Sequence, residues 1–134
     1  MDIKTEVTDE QLKDLLCSAF EGGSNYWGVH VTGRSYAEGL SYSDFCALSG
    51  KFNADPNNYW HPDQIIPTVP GCSLGLRGDN GGAATLNREA LQHGLDLCAE
   101  KHPQHYADIL EGNDDATTAD VLLQLSLYGG VIYG

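Results

Sequence analysis

Among the side chains able to do chemistry, Cys98, His102 and His105 stand in the spacing closest to a metal site. Residues four apart share a helix face, and a second histidine follows three positions later. Pro103 breaks the helix between the two histidines, no carboxylate-rich second cluster accompanies them, and Cys98 already fits an apolar helix face. The expectation is a core cysteine with two helix-end histidines near the negative end of a dipole, and no metal ion. Cys46 with His30 or His61 makes a nucleophile–base pair only if the fold brings them within hydrogen-bond reach. His30, Cys46, His61 and Asp63 together have the composition of a polar pocket with apolar walls. Gly75, Gly78 and Gly81 match neither the dinucleotide nor the phosphate-loop pattern, and Arg77-Gly78-Asp79 is a tripeptide that arises readily by chance. No catalytic set or cofactor motif rises above background, so neither is expected.

Residues suited to holding a protein partner are more numerous. Tyr59, Trp60 and His61 follow the asparagines Asn57 and Asn58, where aromatic anchors would carry much of a binding energy; the competing reading is that the aromatics of this region pad a core. The acidic candidates for such a surface are Asp9, Glu10 and Asp14 near the start, and Asp108, Glu111, Asp114 and Asp115 near the end. A solvated face is the commoner meaning of such charge.

Those residues need elements to place them. Thr8-Asp9-Glu10-Gln11 is a capping box, with Val7 positioned to staple onto Leu12, and Leu12, Leu15, Leu16, Ala19 and Phe20 give the following helix one apolar face up to Gly22-Gly23. Alternation over residues 26–32 predicts a strand with Trp27, Val29 and Val31 on one face. Ser41 to Leu48 predicts a short helix ended by Gly50, residues 55–58 a turn, and Pro62, Pro67 and Pro70 an extended stretch. Cys72, Leu74 and Leu76 predict a second strand, followed by a flexible loop over residues 78–82. Asn87 caps a helix bearing Leu91, Leu95 and Cys98, which Gly94 weakens by about 1 kcal/mol relative to alanine. Pro103 opens a short helix ended by Gly112. Asp114 or Asn113 caps the last helix, Asp115 and Asp120 favour its positive end, and Val121 to Leu127 is apolar almost all round. Val131-Ile132-Tyr133 then predicts a terminal strand, paired within the protomer in preference to across a homodimer axis.

The order predicts an α+β domain over residues 1–134: a small antiparallel or mixed sheet against about four helices, the mostly apolar C-terminal helix central, and a glycine- and proline-rich irregular middle at about 33–84. The 134 residues carry 19 acidic against 7 basic side chains, a net charge of −12, with an isoelectric point near 4.4. Such a balance argues against direct nucleic-acid binding and for a basic protein partner. Four cysteines without a C-x-x-C pair and a charged start, Met1 to Glu6, fit the reducing cytosol. No apolar run is long enough for a membrane span.

Two segments, Glu21-Gly22-Gly23-Ser24-Asn25-Tyr26-Trp27 and the run from Thr118 to Gly134, resemble the two ends of small accessory proteins of tailed bacteriophages and prophages. The resemblance implies a phage accessory protein acting in the host bacterial cytoplasm, and it carries no activity or functional residue across. By class analogy, an acidic non-enzymatic phage protein is expected to bind and inhibit a host nucleic-acid-processing complex, CRISPR or another defence system, as a monomer or homodimer. The rival expectation is a small enzyme or small-molecule-binding protein with its pocket in the irregular middle.

Overall fold

The capping box at Thr8 starts the described chain: Thr8 Oγ1 accepts from Gln11 N at 3.1 Å, and Thr8 N donates to Gln11 Oε1 at 2.9 Å. The computed structural model describes residues 7–52, 61–79 and 82–133. Helix α1 (Asp9–Ser18) runs into one π-helical turn, Ala19–Gly23, and a 3-10 turn, Asn25–Trp27. Strand β1 (His30–Ser35), α2 (Tyr42–Phe52), α3 (Pro62–Ile65), a 3-10 turn (Ile66–Thr68), β2 (Ser73–Arg77) and β3 (Ala84–Leu86) follow. Three helices end the chain: α4 (Arg88–Lys101), α5 (Pro103–Glu111) and α6 (Ala116–Tyr128).

The fold is α+β. Its sheet is antiparallel throughout in the order β1-β2-β3, with Val31 opposite Leu76 and Leu74 opposite Leu86. A bulge between Val31 and Gly33 shifts the β1 register, a local irregularity that increases twist. Leu74, Leu76 and Leu86 point into one continuous apolar cluster with Leu12, Leu15 and Leu16 of α1, Leu91, Leu95 and Cys98 of α4, and Ile109 of α5.

Helix α6 is the centre of that cluster, as its composition foretells. Every residue from Thr118 to Ser126 is buried, and the helix touches α1, the π turn, β3, α4 and α5. Leu122, Leu123 and Leu125 are 1% exposed, each worth about 1.5–3 kcal/mol against leaving it in water. The closest neighbour is α4, and Gly94 explains why: a methyl group there would come within 3.0 Å of Ser126 Cα. The glycine that weakens α4 locally is what lets α4 and α6 pack face to face.

Several expectations are corrected. Residues 131–133 form no strand; Ile132 N and Tyr133 N donate to Gln124 Oε1 at 2.9 and 2.8 Å, so a side chain inside α6 satisfies the amides a sheet would otherwise have bonded. Tyr26 and Trp27 lie in a helical turn, because Gly28 takes φ 68° and bends the chain before the strand opens at His30. The stretch from Pro62 to Thr68 is helical, since a proline at the first helical position costs no hydrogen bond. Asp115, not Asp114 or Asn113, caps α6, accepting from Thr118 N at 2.8 Å. Helix α2 continues past Gly50 to Phe52. Strand β3 has no counterpart in the expectation. The turn expected at residues 55–58 lies outside the described residues, as do positions 80 and 81 of the expected loop.

Candidate functional site

The π turn carries α1 on towards the 3-10 turn that leads into β1, and π-helical turns recur at functional sites. It holds Phe20 and Glu21 beside β1 and α3, where a cleft of about 250 Å³ opens. Phe20, Val29, Val31 and Leu76 form its apolar walls, and Glu21, His30, His61, Asp63 and Gln64 its polar lining. His30, His61 and Asp63, singled out from composition alone, thus meet in one cleft. Cys46, the fourth of that group, is exposed on α2 and is not part of the lining.

Neighbours fix the lining polar groups. Asp63 accepts from Arg34 Nε at 2.7 Å and Arg34 Nη2 at 2.9 Å, a bidentate pair that pushes the guanidinium above its ordinary value. The same guanidinium lies 5.1 Å from the Tyr42 ring centre, at cation–π distance. His61 caps α3: its Nδ1 accepts from Asp63 N at 3.1 Å while its own N donates to Gln64 Oε1 at 2.9 Å. The 3.6 Å separation between His61 Nδ1 and Asp63 Oδ2 is too long for a hydrogen bond, so the backbone amide is the partner that sets the ring. His30 Nδ1 lies 3.0 Å from Gly28 O, and a carbonyl can only accept, so that nitrogen carries a proton. Cys17 donates to Glu21 at 3.4 Å, and burial followed by the Glu21 charge pushes its thiol to about 11. A thiol held there is not a thiolate nucleophile near neutral pH.

A second constellation is acidic. Asp14 of α1, Asp108 of α5 and Asp115 at the start of α6 come close enough for their charges to act on Asp114. Burial, then the charges of Asp14, Asp115 and Asp108, push the Asp114 carboxyl above its ordinary range. Asp115 is held below it by the Thr118 N–H that it caps. Gln11 Nε2 donates to Ile109 O at 3.1 Å and fastens α1 to α5 beside this group. Of the other residues expected to bind a partner, Asp9 and Glu10 are exposed in the first turn of α1, with Asp9 Oδ1 3.4 Å from Arg88 Nε. Glu111 is exposed at the end of α5 and accepts from Asn113 at 3.5 Å. His61 belongs to the cleft. Tyr59 and Trp60 lie outside the described residues.

Cys98 is a core residue, 0% exposed, with its thiol pushed to about 11 by burial. His102 ends α4, as expected of a helix-end histidine. His105 instead sits in the first turn of α5, where its Nδ1 lies 2.8 Å from Thr118 Oγ1, because Pro103 restarts the helix between them. Among the described residues no three of histidine, cysteine, aspartate or glutamate are placed to hold a metal ion.

Sequence reasoning missed a buried polar hub. Asp120 Oδ1 accepts from Ser24 Oγ at 2.7 Å and Trp27 Nε1 at 2.8 Å, and its Oδ2 from Tyr26 Oη at 2.6 Å and Gln124 Nε2 at 3.0 Å. Burial and the Asp120 carboxylate push the Tyr26 phenol above its ordinary value. Gln124 passes the network to the C-terminal tail, where Tyr133 stacks on Trp27 with ring centres 4.6 Å apart. The signal was there: Asp120 and Gln124 stand one turn apart in a mostly apolar helix. Charge near a helix start read as a dipole effect concealed it.

No protein-family model, no curated protein and no solved structure matches the chain.

Proposed function

We propose that this is a non-enzymatic, acidic phage accessory protein that works in the host bacterial cytoplasm by occupying a basic surface of a host nucleic-acid-processing complex, CRISPR or another defence assembly. The observation that carries the reading is the convergence of Asp14, Asp108, Asp114 and Asp115 from three parts of the chain, in a molecule of net charge −12. Gathering like charges costs folding free energy that a basic partner would return on binding. No helix among the described residues is long and apolar enough to cross a membrane. The phage assignment itself rests on the likeness of residues 21–27 and 118–134 described above.

The test is affinity capture from bacterial lysate with the wild-type protein and a variant carrying Asp14→Asn, Asp108→Asn and Asp114→Asn. Amides keep the shape and remove the charge. The wild type should retain a nucleic-acid-processing complex at low salt and lose it steeply as salt rises, and the variant should fail to retain it. Capture that survives both high salt and neutralisation refutes the reading.

A further inference from the structure

We propose that the cleft between the π turn, β1, β2 and α3 binds a small, planar, uncharged heterocycle that carries both an N–H donor and a ring-nitrogen or carbonyl acceptor, of which a nucleobase is the simplest example. This site is separate from the acidic surface and does not depend on the function proposed for it.

The argument begins with the two imidazoles. His30 Nδ1 is spent as a donor to Gly28 O, which leaves Nε2 of the neutral ring as an acceptor. His61 Nδ1 is spent as an acceptor from Asp63 N, which leaves its Nε2 bearing the proton, as a donor. The backbone therefore sets the two lining histidines in opposite tautomers, one offering an acceptor and the other a donor. Glu21 adds carboxylate oxygens, while Asp63 is occupied by Arg34 and Gln64 Oε1 by the cap of α3.

Charge narrows the class. Among the described residues the lining contains Glu21 and Asp63 and no lysine or arginine, and the Arg34 guanidinium beside it is already bidentate to Asp63. A phosphate or carboxylate would meet two carboxylates and no available cation. A bare ammonium would satisfy Glu21 but leave the His61 donor without an acceptor. An uncharged ring with both kinds of polar edge satisfies both imidazoles, and its faces suit Phe20, Val29, Val31 and Leu76. At about 250 Å³ the space falls below the usual 300–1,000 Å³ of drug-sized sites, which limits the occupant to one or two fused rings.

Titration calorimetry on the full-length protein with adenine, adenosine and AMP tests this. Adenine and adenosine should bind, with AMP at least about tenfold weaker because its phosphate faces carboxylates. His30→Ala removes an exposed side chain and should lower adenine affinity about tenfold, the value of one well-made hydrogen bond. Val31→Trp should abolish binding by filling the cleft, and Glu100→Gln, at an exposed position of α4, should leave it unchanged. Amide shifts on adding adenine should concentrate at Val29, Val31 and Leu76. Absence of binding at millimolar adenine, AMP binding as tightly as adenosine, or wild-type affinity in a folded His30→Ala protein would each overturn the proposal.

Discussion

Replacing Asp120 tests the hub that ties α6 to the turn before β1. Its two oxygens accept four hydrogen bonds, two each, at 2.6–3.0 Å, and the residue is 6% exposed. Asp120→Asn exchanges one acceptor for a donor. If the new amide nitrogen takes the Oδ2 position, the Tyr26 hydroxyl can accept from it, and Gln124 Nε2 is left with its longer acceptors, Tyr26 Oη at 3.2 Å and Tyr133 O at 3.3 Å. Flipping Gln124 is barred because its Oε1 already accepts from Ile132 N and Tyr133 N. In the other orientation Ser24 can turn and Trp27 Nε1 cannot. The first orientation keeps every donor paired but exchanges hydrogen bonds to a carboxylate for weaker neutral ones, and the second orphans Trp27 Nε1, so the substitution should cost about 1 kcal/mol through the cheaper of the two. Asp120→Ala orphans Ser24 Oγ and Trp27 Nε1, while Tyr26 and Gln124 keep Tyr133 O, and should cost about 2–6 kcal/mol, at about 1–3 kcal/mol for each orphaned donor. Urea unfolding followed by tryptophan fluorescence reads both, Trp27 being itself a hub member. The expected order is wild type, Asp120→Asn, Asp120→Ala. An Asp120→Asn protein within about 0.5 kcal/mol of wild type, the spread of inconsequential surface changes, would refute the account of the hub.

Three further outcomes follow from the packing and the caps. Gly94→Ala should destabilise by about 1–3 kcal/mol through collision with Ser126, reversing the gain of about 1 kcal/mol that alanine brings to an open helix; thermal melting shows the sign. Tyr133→Ala should cost at least the 0.5–1.5 kcal/mol or so of its stacking on Trp27, whereas Val131→Ala and Ile132→Ser, at 42% and 57% exposed, should stay within about 0.5 kcal/mol in chemical denaturation. Asp115 has its carboxyl lowered by the N–H of Thr118, so its contribution is full above the ordinary carboxylate range and disappears as pH falls through its value in the folded state. Asp115→Ala should therefore lose about 1 kcal/mol at neutral pH and match wild type in strong acid, while Asp115→Asn keeps the cap throughout; denaturation midpoints across pH report the difference.

Local chemistry was legible wherever a residue acts on its own segment. The Thr8 box, the Asn87 cap, the start at Pro103 and the stop at Gly112 could be read because each is settled within four residues. The apolar length of α6 likewise announced its central place. The terminal strand was misread because Val131, Ile132 and Tyr133 have β-prone side chains, whereas their amides answer to Gln124 across a turn, which no propensity encodes. Pro62 to Thr68 was misread for a related reason: proline excludes a helix interior but suits its first turn. At the cleft, His30, His61 and Asp63 were legible as polar residues in an irregular region, but Phe20, Glu21 and Leu76 come to it from α1's continuation and from β2. Only the tertiary fold joins them.

The hub also has a history within each folding event. Ser24, Tyr26 and Trp27 reach Asp120 across 93–96 residues of chain, and closing such a loop costs about 4 kcal/mol beyond a constant by the logarithmic rule. Helices α4, α5 and α6 are sequence neighbours and can meet at a far smaller entropic cost. On that count their helical face should assemble ahead of the clasp, with α1 and its π turn docking onto a surface already made. A contact that forms after the transition state has a kinetic mark, and Asp120→Asn should then hasten unfolding far more than it slows refolding in stopped-flow traces. Asp120 acts as the bolt on a door that other residues have swung shut.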